Sequence, residues 1–180
     1  LTLQDYITCP NPEEFPYRKV LVANIAGYLD FPEQFIAESL NHLGVKCHGI
    51  HISIPALKAR RHSPSEMRSA NIAKVLSNEE TLNQVAMEIN RQIQEDDEAV
   101  LMPAIVGLEN PQTSQLLQHR INLPLRFIPT LPPSVPGVRM HNQLRKIFTR
   151  MGGTYLLGNK VYTGEIKDSK LEYILTTNLD

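Results

Sequence analysis

Short apolar runs in the first 130 residues predict four β-strands. They cover Lys19 to Ile25, Val45 to Ile54, Ala99 to Val106 and Leu123 to Ile128. The first and third runs are apolar almost without interruption, which is typical of parallel strands covered on both faces. Because helical patterns separate the runs, we predict an α/β fold with a mostly parallel sheet of about four strands flanked by helices.

Capping signals mark where the intervening helices begin. Asp30 and Ser63 each precede a glutamate by three residues, which is the spacing of a capping box. The helix after Ser63 starts with a proline and is predicted to continue through Leu76. The polar run from Ser77 to Glu80 is predicted to cap the next helix.

The pattern changes after the fourth strand. The stretch Pro129 to Arg139 has four prolines within eight residues, so we predict a stiff connector that is neither helix nor central strand. A helical pattern from Gln143 to Met151 follows. Two alternating runs, Lys160 to Ile166 and Lys170 to Thr177, are separated by three polar residues and predict a short antiparallel β-hairpin.

These changes predict three parts: an entering segment over residues 1–17, an α/β unit over 18–136, and a helix with a hairpin over 137–180. The chain begins with Leu1 rather than Met and stops just after a predicted strand. We therefore expect it to be a piece excised from a larger protein.

Composition excludes some classes of function. The net charge is −1, so no broad attraction to nucleic acid or anionic lipid is expected. Cys9 and Cys47 have no C-x-x-C spacing, which favours reduced thiols in a cytoplasmic setting. No apolar run approaches the roughly 20 residues of a spanning helix, so membrane association would have to come through a partner.

The sequence lacks the glycine-rich fingerprints of dinucleotide and mononucleotide sites. Ligands of α/β sheets nevertheless bind at the carboxyl ends of the strands. The loops at that edge are expected at Asn24 to Asp30, Pro103 to Asn110 and Thr130 to Arg139. Of these, Arg139 is the best candidate to hold a small anion, and His141 is a candidate proton donor. The alternative is a pair that only packs at a helix start.

Other polar groups have structural alternatives. His48 and His51 are three apart on a strand, so they point to opposite faces and cannot share a metal. The basic loop Lys58 to His62, which includes Arg61, could hold a phosphate or carboxylate, although such runs are usually solvated. Arg68 and Asn71 share a helical face and could orient a ligand or cap a neighbouring loop.

Several motifs together resemble one family, the B subunit of anaerobic glycerol-3-phosphate dehydrogenase, a flavoprotein related to the fumarate reductase flavoproteins. The resemblance extends from about Lys19 to Val161, and its most specific part is the Pro-Thr-Leu-Pro-Pro-Ser run. The motifs are Arg68 to Lys74 with Asn78 to Glu80, Val100 to Ala104 with Gly107 and Leu108, Pro129 to Val135 with Gly137 to Arg139, Asn142 to Leu144, Gly152 with Gly153, and Gly158.

The resemblance implies oxidation of glycerol 3-phosphate to dihydroxyacetone phosphate, with electrons passing through FMN, or alternatively FAD, to the quinone pool. The implied partners are a catalytic flavoprotein subunit and a membrane-anchored iron–sulfur subunit at the cytoplasmic face of the inner membrane. The α/β unit would be a substrate-side capping domain, and residues from about 138 would return to the flavin-binding domain. Because the family's glycine-rich fingerprint is absent, we expect this chain neither to hold flavin tightly nor to turn over alone.

The residue roles that follow are hypotheses. Arg139, with Arg61 or Arg68, is expected to hold the anionic group, and Asn71 and Thr130 are further candidates for substrate binding. His141 or Ser134 is expected to face the reacting carbon. Two other functions stay open: a subunit-docking module that uses the basic loop 58–62, and a free-standing α/β domain that binds a small molecule.

Overall fold

A computed structural model describes residues 15–177, with the side chain of Pro64 excepted. Cys9 and most of the predicted entering segment lie outside the described residues. The chain divides into two compact units between His141 and Asn142. The predicted α/β architecture, with a following helix and hairpin, is confirmed. No helix among the described residues has the length and apolarity needed to cross a membrane.

The first unit is built on a four-stranded parallel sheet in the order β2-β1-β3-β4. Its helices are short except for one of 14 residues. The elements of this unit in chain order are β1 (Lys19–Ile25), α1 (Glu33–His42), β2 (Lys46–Ile52), α2 (Pro55–Lys58), a 3₁₀ turn (Pro64–Met67), α3 (Ser69–Val75), α4 (Glu79–Gln92), β3 (Ala99–Pro103), α5 (Gln112–Arg120) and β4 (Leu125–Ile128).

The core lies around the two central strands. After Lys19, every residue of β1 is buried, and so is every residue of β3. β1 pairs with β2 along its whole length and with β3 near its start, where Val20 lies opposite Ala99. Each fully buried Val, Leu or Ile contributes roughly 1.5–3 kcal/mol, so these continuous apolar runs fix which strands occupy the centre.

Two predicted side-chain caps are wrong, although a helical turn does begin at Pro64 after Ser63. Asp30 does not cap α1, which begins at Glu33 after Pro32 without a side-chain hydrogen bond. The Asp30 carboxylate instead accepts hydrogen bonds from Arg68, 38 residues away. Ser63 likewise provides no side-chain cap, and the helix predicted to follow it breaks at Arg68, whose backbone is extended.

The cap of α4 is confirmed, because the Asn78 side chain accepts a hydrogen bond of 3.0 Å from the backbone N–H of Thr81. This bond satisfies one of the donors that a helix start leaves without an intrahelical partner. The prediction succeeds because this hydrogen bond joins residues that are only three apart in the sequence.

The proline connector is shorter than predicted. Helix α6 (Val135–Arg150) begins inside it, so residues 135–139 are helical and the prediction for them is wrong. Pro136 is tolerated because it lies in the first turn, where its missing N–H would have no intrahelical partner. The Ser134 hydroxyl accepts a 3.2 Å hydrogen bond from the Gly137 N–H and so caps this start.

The second unit contains the end of α6 and an antiparallel hairpin of β5 (Lys160–Lys167) and β6 (Lys170–Thr177), as predicted. Asp168 and Ser169 form its two-residue turn with φ values of 51° and 61°, which both residues of a type I′ turn require. Nearly every hairpin residue is exposed, including apolar ones. The hairpin therefore buries little apolar surface of its own.

Candidate functional site

The sheet has a switch point between β1 and β3. From β1 the chain moves to β2 on one side, and it then crosses back to form β3 on the other side of β1. At such a point the loops leaving two neighbouring strands diverge and open a crevice at their carboxyl ends. The loops here follow Ile25 and Pro103, so two of the three loops expected from the sequence lie beside the switch point.

Hydrogen bonds of a buried asparagine side chain fix the conformation of the loop after β1. The buried Asn24 side chain accepts a hydrogen bond from Ile25 N–H at 2.8 Å and donates one to the Tyr28 carbonyl at 3.2 Å. Gly27 has a φ of +90°, and a Cβ there would lie 3.3 Å from Cγ and Nε of Arg61. A side chain at residue 27 would therefore be strained and would crowd the Arg61 side chain.

Two arginines line a cleft of about 370 Å³ beside this loop, which we name the arginine cleft. Nη1 of Arg68 donates to both carboxylate oxygens of Asp30 at 3.1 Å, while 60% of the Arg68 side chain is exposed. The Arg61 guanidinium forms neither an ion pair nor a hydrogen bond with any residue that the structure describes. The cleft is lined by Gly27, Leu29, Asp30, Arg61, Met67 and Arg68.

Buried hydroxyl groups lie next to the arginine cleft. Tyr28 is only 2% exposed, and burial raises the pKa of its phenol, an effect that the neighbouring Thr130 and Ser69 hydroxyls partly oppose. The Tyr28 hydroxyl and Thr130 Oγ1 are both buried, yet neither forms a well-aligned hydrogen bond with a described residue. Ser69 is satisfied, since its hydroxyl donates to the Pro133 carbonyl at 2.5 Å.

A second cleft, of about 390 Å³, is also lined by residues of this loop, and we name it the histidine cleft. Within it, His51 Nε2 lies 2.7 Å from Glu33 Oε1. The other carboxylate oxygen, Glu33 Oε2, is buried and has no hydrogen-bond partner among the described residues. Gly27 and Leu29 line both clefts.

The two strand histidines take different partners, as their opposite orientations predict. His48 Nε2 contacts the fully buried carboxylate of Asp97 at 2.8 Å, whereas His51 contacts Glu33. Within residues 15–177, no group of three or more His, Cys, Asp or Glu side chains could hold a metal ion.

Arg139 joins the start of α6 to the loop after β3. Its Nη1 donates a 2.8 Å hydrogen bond to the Gly107 carbonyl, and burial lowers the pKa of the half-buried guanidinium. Gly107 has a φ of +73°, and a Cβ there would lie 3.1 Å from Arg139 Nη1. Arg139 therefore fixes the backbone of the loop after β3, at the switch point of the sheet.

The remaining predicted site residues are spread over the carboxyl edge. Asn71 Nδ2 donates to the Ser65 carbonyl at 3.1 Å, which matches the loop-capping alternative. Ser134 caps α6, and His141 is exposed on that helix. The basic loop 58–62 is exposed, and Arg60 forms an ion pair with Glu66 at 2.6 Å.

The sequence did not identify Tyr28 or Glu33 as site residues. Glu33 had a capping-box spacing, which led to a local interpretation. Both residues could have been proposed from their position, because they lie in the loop and helix start that follow a buried strand, where α/β sheets bind ligands.

Comparison with known proteins gives consistent matches. The sequence model of the family described as FAD binding domain matches residues 5–178. A protein from Yersinia enterocolitica is 34% identical over 178 residues, which are 99% of this chain and 42% of the relative. A Pasteurella multocida protein is 35% identical over 92% of this chain and 40% of its own length, and a Glaesserella parasuis protein is 33% identical over 94% and 40%.

All three relatives are named as the B subunit of anaerobic glycerol-3-phosphate dehydrogenase. The chain spans about two fifths of their length, 42% in the Yersinia protein. No solved structure matches the chain significantly.

Proposed function

The chain belongs to the FAD binding domain family, and from this premise we propose that it is part of the B subunit of a flavin-dependent anaerobic glycerol-3-phosphate dehydrogenase. The observation that carries the proposal is the 34% identity to the Yersinia enterocolitica protein across 99% of the chain. The reaction would convert glycerol 3-phosphate to dihydroxyacetone phosphate. Electrons would pass through flavin to an iron–sulfur subunit anchored in the membrane and then to the quinone pool.

We place the substrate phosphate in the arginine cleft. A phosphate is an anion with several acceptor oxygens, and guanidinium groups bind it with short, charge-assisted hydrogen bonds. Arg61 is the primary candidate, because its guanidinium has no partner among the described residues. Arg68 would contribute a second guanidinium, which Asp30 holds in place.

Other predicted residues take supporting roles in this proposal. Arg139 is a positioning residue, because its guanidinium holds the Gly107 carbonyl. Thr130 would assist substrate binding through its buried hydroxyl, whereas Asn71 would support the loop that it caps. Ser134 accepts a hydrogen bond from Gly137, which leaves its hydroxyl hydrogen for another acceptor. His141 and Ser134 stay candidates to face the reacting carbon.

The residues after β1 do not fit the pyrophosphate of a dinucleotide. Such a group needs several glycines and a free helix start. Here Gly27 is the one glycine in the loop from 26 to 32, and α1 begins at Glu33, directly after Pro32. The Glu33 carboxylate would repel an anion placed at the start of α1. We therefore assign the flavin, whether FMN or FAD, to other parts of the full-length protein.

The second unit supports the proposed domain organisation, in which residues from about 137 belong to a flavin-binding domain. A two-stranded hairpin is at best marginally stable alone. Here Val161, Ile166 and Leu171 are each more than half exposed. We propose that these side chains pack against further segments of that domain.

The test uses the full-length protein assembled with its partner subunits. Losing a hydrogen bond to a charged group costs about 1.5–3 kcal/mol, so Arg61→Ala should lower kcat/KM for glycerol 3-phosphate by about 10–150-fold. Arg91→Ala is the matched control, because Arg91 is an exposed arginine on α4 outside both clefts. Unchanged kcat/KM in Arg61→Ala would exclude the arginine cleft as the substrate site. An assembled complex that does not oxidise glycerol 3-phosphate would refute the function itself.

A further inference from the structure

Two residues that line the histidine cleft carry hydrogen-bond acceptors that no described residue uses. One is the buried Oε2 of Glu33, whose companion oxygen is taken by His51. The other is His51 Nδ1: when Nε2–H donates to the carboxylate, the neutral ring leaves Nδ1 as an acceptor. His51 is 58% exposed and lines the cleft, so a ligand can reach its ring.

This acceptor pair selects a class of ligand. A phosphate or carboxylate offers only acceptors and carries the same charge as Glu33, so it would be repelled. An apolar group would leave Glu33 Oε2 buried without a partner, which costs about 1–3 kcal/mol. A ligand hydroxyl fits, because it can donate to the carboxylate, and a neighbouring hydroxyl can donate to His51.

The two clefts adjoin at the loop after β1. Gly27 and Leu29 line both of them, with Arg61 and Arg68 in one and Glu33 with His51 in the other. The Arg61 side chain lies against Gly27, with Cγ and Nε 3.3 Å from the position of an added Cβ, so a basic residue lines the arginine cleft beside the wall that the two clefts share. The two guanidinium groups thus line one cleft, and the residues with unused acceptors line the other.

We propose that the histidine cleft binds the hydroxyl-bearing end of a polyol phosphate whose phosphate occupies the arginine cleft. Glu33 is then a specificity-determining residue, and His51 is a positioning residue that also accepts a second hydroxyl hydrogen. The identity of the ligand rests on the function proposed above. The assignment of the hydroxyl-bearing end rests on the Glu33 and His51 geometry.

The experiment is calorimetric titration of the full-length protein with three probes: glycerol 3-phosphate, inorganic phosphate and phosphoethanolamine. Glu33→Gln is nearly isosteric and should weaken glycerol 3-phosphate binding at least tenfold, while inorganic phosphate binding changes less than twofold. His51→Gln should show the same selectivity with a smaller effect. Glu38→Gln, on the exposed part of α1 away from both clefts, should change neither affinity.

The outcomes separate the two proposals. If Arg61→Ala weakens glycerol 3-phosphate and inorganic phosphate equally while Glu33→Gln leaves both unchanged, the substrate site stands and the hydroxyl assignment is overturned. If Glu33→Gln weakens both probes equally, Glu33 has only a structural role. Tighter binding of phosphoethanolamine than of glycerol 3-phosphate would make the cleft an ammonium site. Failure of the wild type to bind either glycerol 3-phosphate or inorganic phosphate would overturn both proposals.

Discussion

Arg139 and Gly107 fix each other at the switch point of the sheet. The arginine Nη1 donates to the glycine carbonyl at 2.8 Å, and the glycine has a φ of +73°. The guanidinium lies so close that a Cβ at residue 107 would be 3.1 Å from Nη1 and 3.3 Å from the Asn110 carbonyl oxygen. Residue 107 must therefore be glycine for two reasons: its backbone conformation is unfavourable for other residues, and Arg139 occupies the space that a side chain would need.

Gly107→Ala should destabilise the protein more than Gly44→Ala. Gly44 has a φ of +80° but nothing within 4 Å of an added Cβ, so only the conformational cost of about 1–2 kcal/mol applies there. At residue 107, crowding adds a further cost of roughly 1 kcal/mol or more, because the backbone oxygen of Asn110 cannot move freely. Equilibrium urea unfolding of the two variants measures the difference, and equal midpoints would contradict this reasoning.

Tyr28→Phe and Ser69→Ala should differ in stability although both remove one buried hydroxyl. The Tyr28 hydroxyl forms no well-aligned hydrogen bond with a described residue, so its removal should lower the free energy of unfolding by less than about 1 kcal/mol, or increase it. Ser69→Ala removes the donor to the Pro133 carbonyl and should cost about 1–2 kcal/mol. Thermal unfolding of both variants tests the contrast; a larger loss for Tyr28→Phe would show that its hydroxyl has a partner.

Acid should remove the contribution of the Lys19–Asp96 ion pair to stability. The hydrogen bond from Lys19 lowers the pKa of Asp96 below its ordinary value, so the unfolded chain binds more protons at this group. The stabilisation is therefore complete above the ordinary carboxyl pKa of about 4, and it is lost as the pH falls through the lower folded value. At the alkaline end, Asp96 raises the pKa of Lys19, so the same pair loses its contribution as the pH rises through that value.

Asp96→Asn should accordingly lower the Tm at neutral pH and match the wild type in strong acid. Glu95→Gln is the control, because Glu95 is exposed in the same loop and forms no ion pair with a described residue. The measurement is the Tm of wild type and Asp96→Asn from about pH 7 to about pH 2. A constant difference between the two Tm values would show that the pair does not titrate in this way.

The sequence predicts the parts of the fold that depend on burial and on local hydrogen bonds. The continuous apolar run of β1 and the Asn78 cap are both found as predicted. The capping box at Asp30 is wrong because a distant arginine competes for the carboxylate, and sequence spacing carries no information about that partner. The prediction that the connector extends past Val135 is wrong, because proline disrupts the interior of a helix but is accepted in its first turn.

The site was partly predictable for the same reasons. Strand ends locate the carboxyl edge, and two candidate arginines, Arg61 and Arg68, line one cleft there. The His51–Glu33 contact joins a strand to the first turn of the preceding helix, and its formation depends on how the helix packs on the sheet. Pattern alone does not determine that distance.

The central position of β1 has a consequence for how the sheet opens. Local fluctuations that expose backbone amides to deuterium exchange begin at elements with few buried neighbours, which here are the edge strands β2 and β4. β1 is paired on both sides and its apolar residues are at most 1% exposed, so its amides belong to the slowest-exchanging set. The Gly27 loop leaves directly from this strand. The wall shared by the two clefts is therefore attached to the part of the sheet that opens last.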